Sequence, residues 1–559
     1  MPKPILIIGG TGVFGKRLVR HLATRAGIAL FVSSRDAARA EAFIQTLQGS
    51  IAPLHAVGLS CQENLQRRLD DIRPFIVIDC SGPFQGANYD TARTVLRSGA
   101  HLVDLADARD YLAGFAGALD DVARDHDVTA LTGASSTPTL STCVARHLTR
   151  GWTRVDTIDI CITPGGKSEV GRSVIEAIMS YAGRDIPIWR SGRLSKTIGW
   201  NNARMIDIPG LGRRRVAAVE TFDAEHLGPS LNVQSRVAFF AGLESAIEQR
   251  GIEAVAALRK RGLTVDLGFL IPLLLKARKL TRLATSDVGG MLVDICGLDE
   301  NGVWCRARWS LIARQDYGPF IPILPAAAAV EKLMAGAVST GARPAHRALD
   351  VSDILEHMRP YAITTQTSVT RTDKGVFETA LGTSSFKSLP KAVRTFHDPS
   401  GPVVWHGVAD IKGGAWFAPR ILARVFGFPG QGRDVPVTVT LERTTSPDGT
   451  PVETWIRNFA GTRLISVLKT DGKGNLTERF APFTFVIPVR ADADGLDIPV
   501  SGWRIGWLKL PKFLAPQSTA SEYVDKQGRF CFDVHLSAPL FGTIAHYKGW
   551  LGPITGPGR

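Results

Sequence analysis

Cysteine is scarce in this chain: seven among 559 residues, at positions 61, 80, 143, 161, 296, 305 and 531, with no C-x-x-C pair. Neither a disulfide framework nor a thiolate zinc site fits that spacing, and the expectation is small buried hydrophobes in a reducing compartment. Long apolar runs are missing as well. The run worth attention, 267–275, is nine residues and contains Gly268 and Pro272, against about 20 for a spanning helix. Met1-Pro2-Lys3-Pro4 leads into only four apolar residues, too few for the core of a signal peptide, so a cytoplasmic location is expected. Acidic residues are in deficit, 52 against 66 Lys and Arg, for a net charge of +14. That balance excludes an acidic solvating chain and leaves anionic lipid, nucleic acid and phosphate-bearing cofactors as partners. No H-E-x-x-H, paired-His or EF-hand spacing occurs, so no metal is expected. No G-x-S-x-G or P-loop occurs either. Without a helix-turn-helix, finger or RNP pattern beside the basic excess, nucleic acid is not an expected partner.

Alternation of short, continuously apolar runs with helical patterns fills the first 150 residues. Ile5–Ile8, Ala29–Val32, Phe75–Asp79, His101–Val103 and Thr129–Leu131 read as buried strands, with helices at Gly15–Arg25, Asp36–Leu47 and Tyr89–Ser98. Strands apolar on both faces predict a parallel, doubly wound α/β sheet. From about Gly151 the texture changes to a mixed α+β pattern, with strands at Asp156–Thr163, Gly289–Gly297 and Trp304–Ala313, a helix at Ser173–Ala182 and an Ala-rich helix at Pro325–Gly336. Beyond a compositional break at 342–360, strands from Val403 to Gly549 dominate, around one helix near Pro419–Phe426. Hairpin turns such as Pro447-Asp448-Gly449 predict an antiparallel, barrel-like third domain, closed or nearly so. Three domains are expected: 1–150, 151–358 and 370–555.

The strongest chemical signal opens the chain. Gly10, Gly12 and Gly15 form G-x-G-x-x-G directly after a strand and at the start of a helix. Gly10 would allow the tight turn, Gly12 the approach of backbone N–H groups to a pyrophosphate, and Gly15 close helix–strand packing. Thr11, Val13 and Phe14 complete the loop. An NAD site places an acidic residue at the end of the second strand to hold the ribose; here that position reads Ser33-Ser34-Arg35. Hydroxyls and a guanidinium suit a 2′-phosphate, favouring NADP over NAD. Asp36 would restore an NAD site if the strand ran further. Ser81, Gly82, Pro83 and Phe84 follow a buried strand at the carboxyl edge, where doubly wound sheets bind ligands, and would border the nicotinamide. Asp104, at another strand end, and Tyr89 are the candidate proton donors.

On these motifs residues 1 to about 358 resemble the saccharopine dehydrogenase-like, or saccharopine reductase-like, family. Ser81-Gly82-Pro83-Phe84, Gly99–Leu105, Ser286–Met291 and Gly318-Pro319-Phe320 carry the likeness beside the opening glycines. The resemblance implies an N-terminal NADP-binding Rossmann domain, an inserted mixed sheet near the substrate and a final helix returning to the first domain. One departure matters. Members acting on saccharopine-type amino acids carry an acidic Asp-Pro-Gly loop and a nearby His, where this chain reads Gly133-Ala134-Ser135-Ser136-Thr137-Pro138-Thr139-Leu140-Ser141. A cationic amino-acid substrate thus loses its partner, and relatives that reduce lipid-like enoyl substrates become the better comparison.

Residues of about 380–555 resemble a bacterial domain of unknown function found behind such regions, through His406-Gly407, Thr454–Arg457, Glu478-Arg479-Phe480 and Tyr547–Leu551, among others. Its Trp and Phe content fits either a filled barrel core or an apolar ligand cavity. Residues 359–559 hold 24 basic and 16 acidic groups, so +8 of the net charge lies there. Around the apolar run 267–275, the segment 259–282 has seven basic residues and one acidic, a pattern that fits peripheral contact with an anionic membrane. The sequence reading is an NADPH-dependent oxidoreductase moving hydride to or from a C=N, C=O or conjugated C=C bond of a small-molecule or lipid-like substrate. Its alternative is a non-catalytic NADPH- and lipid-binding protein at the membrane surface.

Overall fold

In the computed structural model the chain is described over residues 2–59, 62–168, 178–262, 281–414, 428–446, 448–511, 513, 515–539 and 542–554. Half of the expected helix at 173–182, the helix at 419–426 and three quarters of 259–282, with its apolar run, lie outside the described residues.

Six strands of the N-terminal region, β1 (Lys3–Ile8), β2 (Ile28–Ser34), β3 (Leu54–Gly58), β4 (Ile76–Asp79), β5 (His101–Asp104) and β6 (Thr129–Thr132), form a parallel sheet in the order β6-β5-β4-β1-β2-β3. The central strands bury both faces: Ile5, Leu6, Ile7, Val77 and Ile78 are fully enclosed, as a sheet covered by helices on two sides requires. The covering helices include α1 (Val13–Leu22), α2 (Ala37–Gln45), α3 (Gln62–Ile72), α4 (Asp90–Arg97), α5 (Arg109–Asp125) and α6 (Ser141–Leu148). Much later the chain returns. The helix Leu324–Met334, with Ala326 to Ala329 all buried, packs on α1 and β5, and the strand Gly341–Pro344 joins β6 in parallel.

A second, mixed sheet is built on Arg154–Thr163, paired antiparallel with Gly289–Leu298 and parallel with Arg236–Ala241. Its last strand, Ile363–Arg371, lies past the expected break at 358 and pairs antiparallel with Trp304–Ala313.

The third sheet is wholly antiparallel, thirteen strands among the described residues, all between Val404 and Pro553. It wraps around a core that includes the short helices Val376–Leu381 and Lys391–His397. The ladder ends at Arg490–Ala491 on one side and Leu508–Lys509 on the other. Among the described residues no ladder joins these two ends, so the sheet is a curled, nearly closed roll, in keeping with the barrel-like domain expected.

The second and third sheets meet through charged groups. Arg236 binds both carboxylate oxygens of Asp159, from 2.7 to 2.9 Å, and also the Glu442 carboxylate of the third sheet. Arg306 joins Asp294 to the Thr445 carbonyl at 2.6 Å, and Arg154 donates to the carbonyls of Ser400 and Gly401.

Candidate functional site

At the carboxyl end of β1 the chain turns through Gly9–Gly12 into α1, with Gly12 at its N-cap. The Gly12 N–H donates to the Gly9 carbonyl at 2.9 Å. The left-handed residue of this turn is Gly9, at φ +70°, and not Gly10 as the spacing suggested. Gly10 serves packing instead: a Cβ there would lie 2.7 Å from Val32 Cγ1. A Cβ on Gly15 would come within 2.2 Å of the Gly9 carbonyl oxygen, so α1 sits on the turn at a distance only glycine allows. At Gly12 the corresponding position meets the Gly9 carbonyl at 3.1 Å and nothing else within 4 Å, and Gly12 lines an open cleft. The first turn of α1 carries no acidic residue, so its free amides present uncontested positive potential.

The cleft, of about 890 Å³, runs along the carboxyl edge of the first sheet, where β1 and β4 send their chains to opposite sides. Thr11, Gly12, Val13 and Phe14 line one part; Ser33, Ser34 and Arg35 line the end of β2. The Thr11 hydroxyl donates to Ser34 Oγ at 3.2 Å, tying the glycine turn to that strand end. Arg39, one helical turn beyond Arg35, lines the same wall. Its i,i+4 spacing from Arg35 was the available signal for it. Asp36 is engaged elsewhere, accepting from the Ala38 N–H at 3.0 Å as the N-cap of α2.

Ser81, Gly82, Pro83 and Phe84 line the facing side. The loop is anchored by Asp79, whose Oδ1 accepts from both the N–H and the hydroxyl of Ser81 at 2.8 and 2.6 Å. Burial pushes the Asp79 carboxyl up, and the Ser81 bonds oppose that shift. Phe84 packs on Tyr111 at 5.2 Å between ring centroids.

Neither candidate proton donor lines the cleft. Asp104 is buried beneath it, and its Oδ1 accepts from the N–H groups of Ala106 and Gly133 and the hydroxyl of Thr132, at 2.8–3.0 Å. Burial, reinforced by the Asp79 charge and opposed by these bonds, pushes its carboxyl up to about 7. Tyr89 donates to the Tyr111 carbonyl at 2.8 Å, with its ring against that of Tyr111. Tyr89 spends its hydroxyl on backbone, whereas Asp104 keeps Oδ2 buried without a hydrogen-bond partner among the described residues.

The opposite wall comes from the second sheet, through Thr163, Pro164, Ser168, Tyr181 and Gly289–Met291, with Gly318–Pro322 beside them. Sequence reasoning named none of these as site residues, because they converge only when the two sheets face each other. Among the described residues this wall contributes no charged side chain. Thr163 is buried, and its hydroxyl has no hydrogen-bond partner among the described residues. The hydroxyl-rich loop after β6 is pinned from the same side: Thr137 and Ser141 both donate to the buried Asp223, the latter at 2.5 Å.

Residues 389–551 match a family described as a domain of unknown function, DUF4166, as the C-terminal resemblance implied. No curated protein matches the chain in sequence. Among solved structures, a saccharopine dehydrogenase (L-Glu forming) from Saccharomyces cerevisiae aligns at 12% identity and a TM-score of 0.46, over 66% of this chain and 100% of that one. A C. glutamicum DAP dehydrogenase aligns at 14% and 0.35, over 64% and 98%. An amine dehydrogenase from Mycobacterium smegmatis aligns at 11% and 0.34, over 62% and 96%. No helix among the described residues is long and apolar enough to cross a membrane.

Proposed function

We propose that the chain is an NADPH-dependent oxidoreductase acting on an uncharged, lipid-like small molecule in this cleft. One observation carries the reading: a glycine cradle at a helix N-terminus, a hydroxyl and guanidinium cluster and an uncharged wall border a single cavity. When bound, the dinucleotide would supply the hydride for a C=N, C=O or conjugated C=C bond. The protein's own groups do the rest. Gly12 and the first amides of α1 hold a diphosphate. Arg35 and Arg39, with Ser33 and Ser34, offer a 2′-phosphate forked, charge-assisted hydrogen bonds. NADP is therefore favoured over NAD, since Asp36, the carboxylate that follows the end of β2, caps α2. Ser81 to Phe84 border the nicotinamide end, and the second-sheet wall excludes water from it. A turn of the Thr163 side chain would bring its hydroxyl, buried without a partner among the described residues, to a substrate oxygen or nitrogen. A wall without charge disfavours a zwitterionic amino acid, whose desolvation it could not offset.

Fluorescence titration of the full-length chain with NADPH and NADH, followed by NADPH oxidation assays on imine, ketone and enoyl panels, tests this. Tighter NADPH binding and turnover of an uncharged substrate are expected. Absence of NADPH binding sinks the site assignment. Tight binding without turnover on any panel favours the non-catalytic NADPH- and lipid-binding alternative.

A further inference from the structure

Inside the curled third sheet lies a second cavity, of about 410 Å³ and separate from the cleft, within the range of small-ligand sites. Its lining is dominated by aromatic and aliphatic side chains, among them Phe377, Phe459, Phe485, Trp503 and Phe532. The charged groups that reach it are matched within the wall. Arg457 binds Glu478 at 3.1 Å and Ser466 Oγ at 2.9 Å, and stacks on Trp455; Glu522 binds His397 at 2.5 Å. Among the described residues every charged group that lines the cavity has a partner in the wall, so the cavity favours hydrocarbon.

At the edge of this cavity the chain forms a hairpin, Gly502–Ile505 paired with Leu508–Lys509. Trp503 and Pro516 line the cavity, so the chain between them starts and ends at its margin. Trp503 is stacked on Phe483, and its Nε1–H donates to the Pro511 carbonyl at 3.0 Å. Beyond this anchored base the apolar side chains point outward: Trp507 is 91% exposed, Phe513 75%, Leu508 51% and Ile505 40%. Large aromatics rarely stand that free on a soluble surface, and such clusters mark contact sites. The charge around them has one sign. Between Asp497 and Glu522 the sequence holds three basic residues and no acidic one, and Arg504 and Lys509 are exposed on the hairpin itself. A tryptophan-tipped loop with basic flanks suits the headgroup layer of an anionic bilayer.

We propose that the third sheet is a container for a neutral, mainly hydrocarbon ligand, which it takes from an anionic membrane surface through the Gly502–Lys509 hairpin. The assignment does not depend on the redox reading of the cleft. The full-length chain is titrated with the uncharged methyl ester of cis-parinaric acid, and sedimented with phosphatidylcholine vesicles with and without phosphatidylglycerol. Saturable parinaric fluorescence is expected from the wild type. Ala520→Trp and Ser518→Trp, which fill the cavity from alternate positions of one lining strand, should lose it while keeping the wild-type circular dichroism. Trp507→Ser with Phe513→Ser should keep parinaric binding from solution and lose about tenfold or more in partition to phosphatidylglycerol vesicles. If both filled variants misfold, native mass spectrometry of the wild type with methyl oleate decides, and a spectrum without adduct overturns the container. Unchanged parinaric binding in folded Ala520→Trp also overturns it. Vesicle binding that ignores either the hairpin substitutions or phosphatidylglycerol overturns the loading route, as does hairpin-dependent dimerisation without vesicle binding.

Discussion

The two cavities of this molecule handle polarity in opposite ways. In the cleft, polar groups are aimed inward and left open: the amides of α1 and the guanidinium groups of Arg35 and Arg39. In the third sheet, Arg457, Glu478, His397 and Glu522 are paired within the wall. A site that must recognise phosphate keeps donors in surplus; a space that must accept hydrocarbon balances its charges before anything enters.

That contrast can be broken at several points. The largest effect is expected beneath the cleft, at Asp104. Its carboxyl is held at about 7 in the fold against about 4 in the unfolded chain. Between those values the folded state keeps a proton that the unfolded state releases, so stability falls as pH rises and levels off above about 7. The loss is on the order of 4 kcal/mol. Asp104→Asn keeps the accepting oxygen and removes the titration. Its melting temperature should therefore gain on the wild type from about pH 5 to pH 8; parallel melting curves would show that Asp104 does not titrate in this window.

Next comes the charge balance of the third sheet. Glu478→Ala leaves Arg457 unpaired in an apolar wall and should cost about 3 kcal/mol in denaturant unfolding. Arg457→Met combined with Glu478→Leu should recover most of that loss. If the double variant is no better than the single, the pair is not a closed unit.

The glycine turn separates stability from binding. Gly15→Ala drives a Cβ into the Gly9 carbonyl and should cost about 2 kcal/mol by overpacking. Gly12→Ala should stay within about 1 kcal/mol of wild type yet lose most NADPH affinity, because its methyl group enters the cleft. Equal destabilisation by both would erase this division. The smallest effect is at Arg35→Ala: about tenfold weaker NADPH binding with NADH binding unchanged. A parallel loss for both nucleotides would move the 2′-phosphate contact elsewhere.

The first sheet was largely legible because burial on both faces leaves uninterrupted apolar runs, as in β1 and β4. β3, Leu54–Gly58, escaped because it is an edge strand of mixed exposure carrying His55. The strand Ile363–Arg371 escaped for a stronger reason: it is almost entirely exposed and polar, so no alternation marks it. Residues 478–489, an almost unbroken apolar run after Arg479 that reads as one strand, belong to two, Leu476–Phe480 and Phe483–Ile487, folded about Ala481-Pro482. Proline ending one strand is a signal that the apolar run concealed. At the site, local motifs located the cofactor side, since Gly12, Ser34 and Arg35 lie within one strand-turn-helix unit and the strand that follows it. Thr163, Tyr181 and Asp223 were out of reach, because each acquires its place through pairing between distant segments.

The Arg236 bridge to Asp159 and Glu442 has a practical consequence for dividing the molecule. A cut before residue 389, where the C-terminal family match begins, would follow the sequence boundary and cross an electrostatic one. The N-terminal piece would keep Arg236 with Asp159 but expose a face shaped around a missing carboxylate. The C-terminal piece would carry Glu442 on a bare surface without its cation. Halves made this way should be less soluble and less stable than the parent chain, and a charge-neutral seam, with Arg236 and Glu442 both replaced, is the place to begin if each unit is to be studied alone.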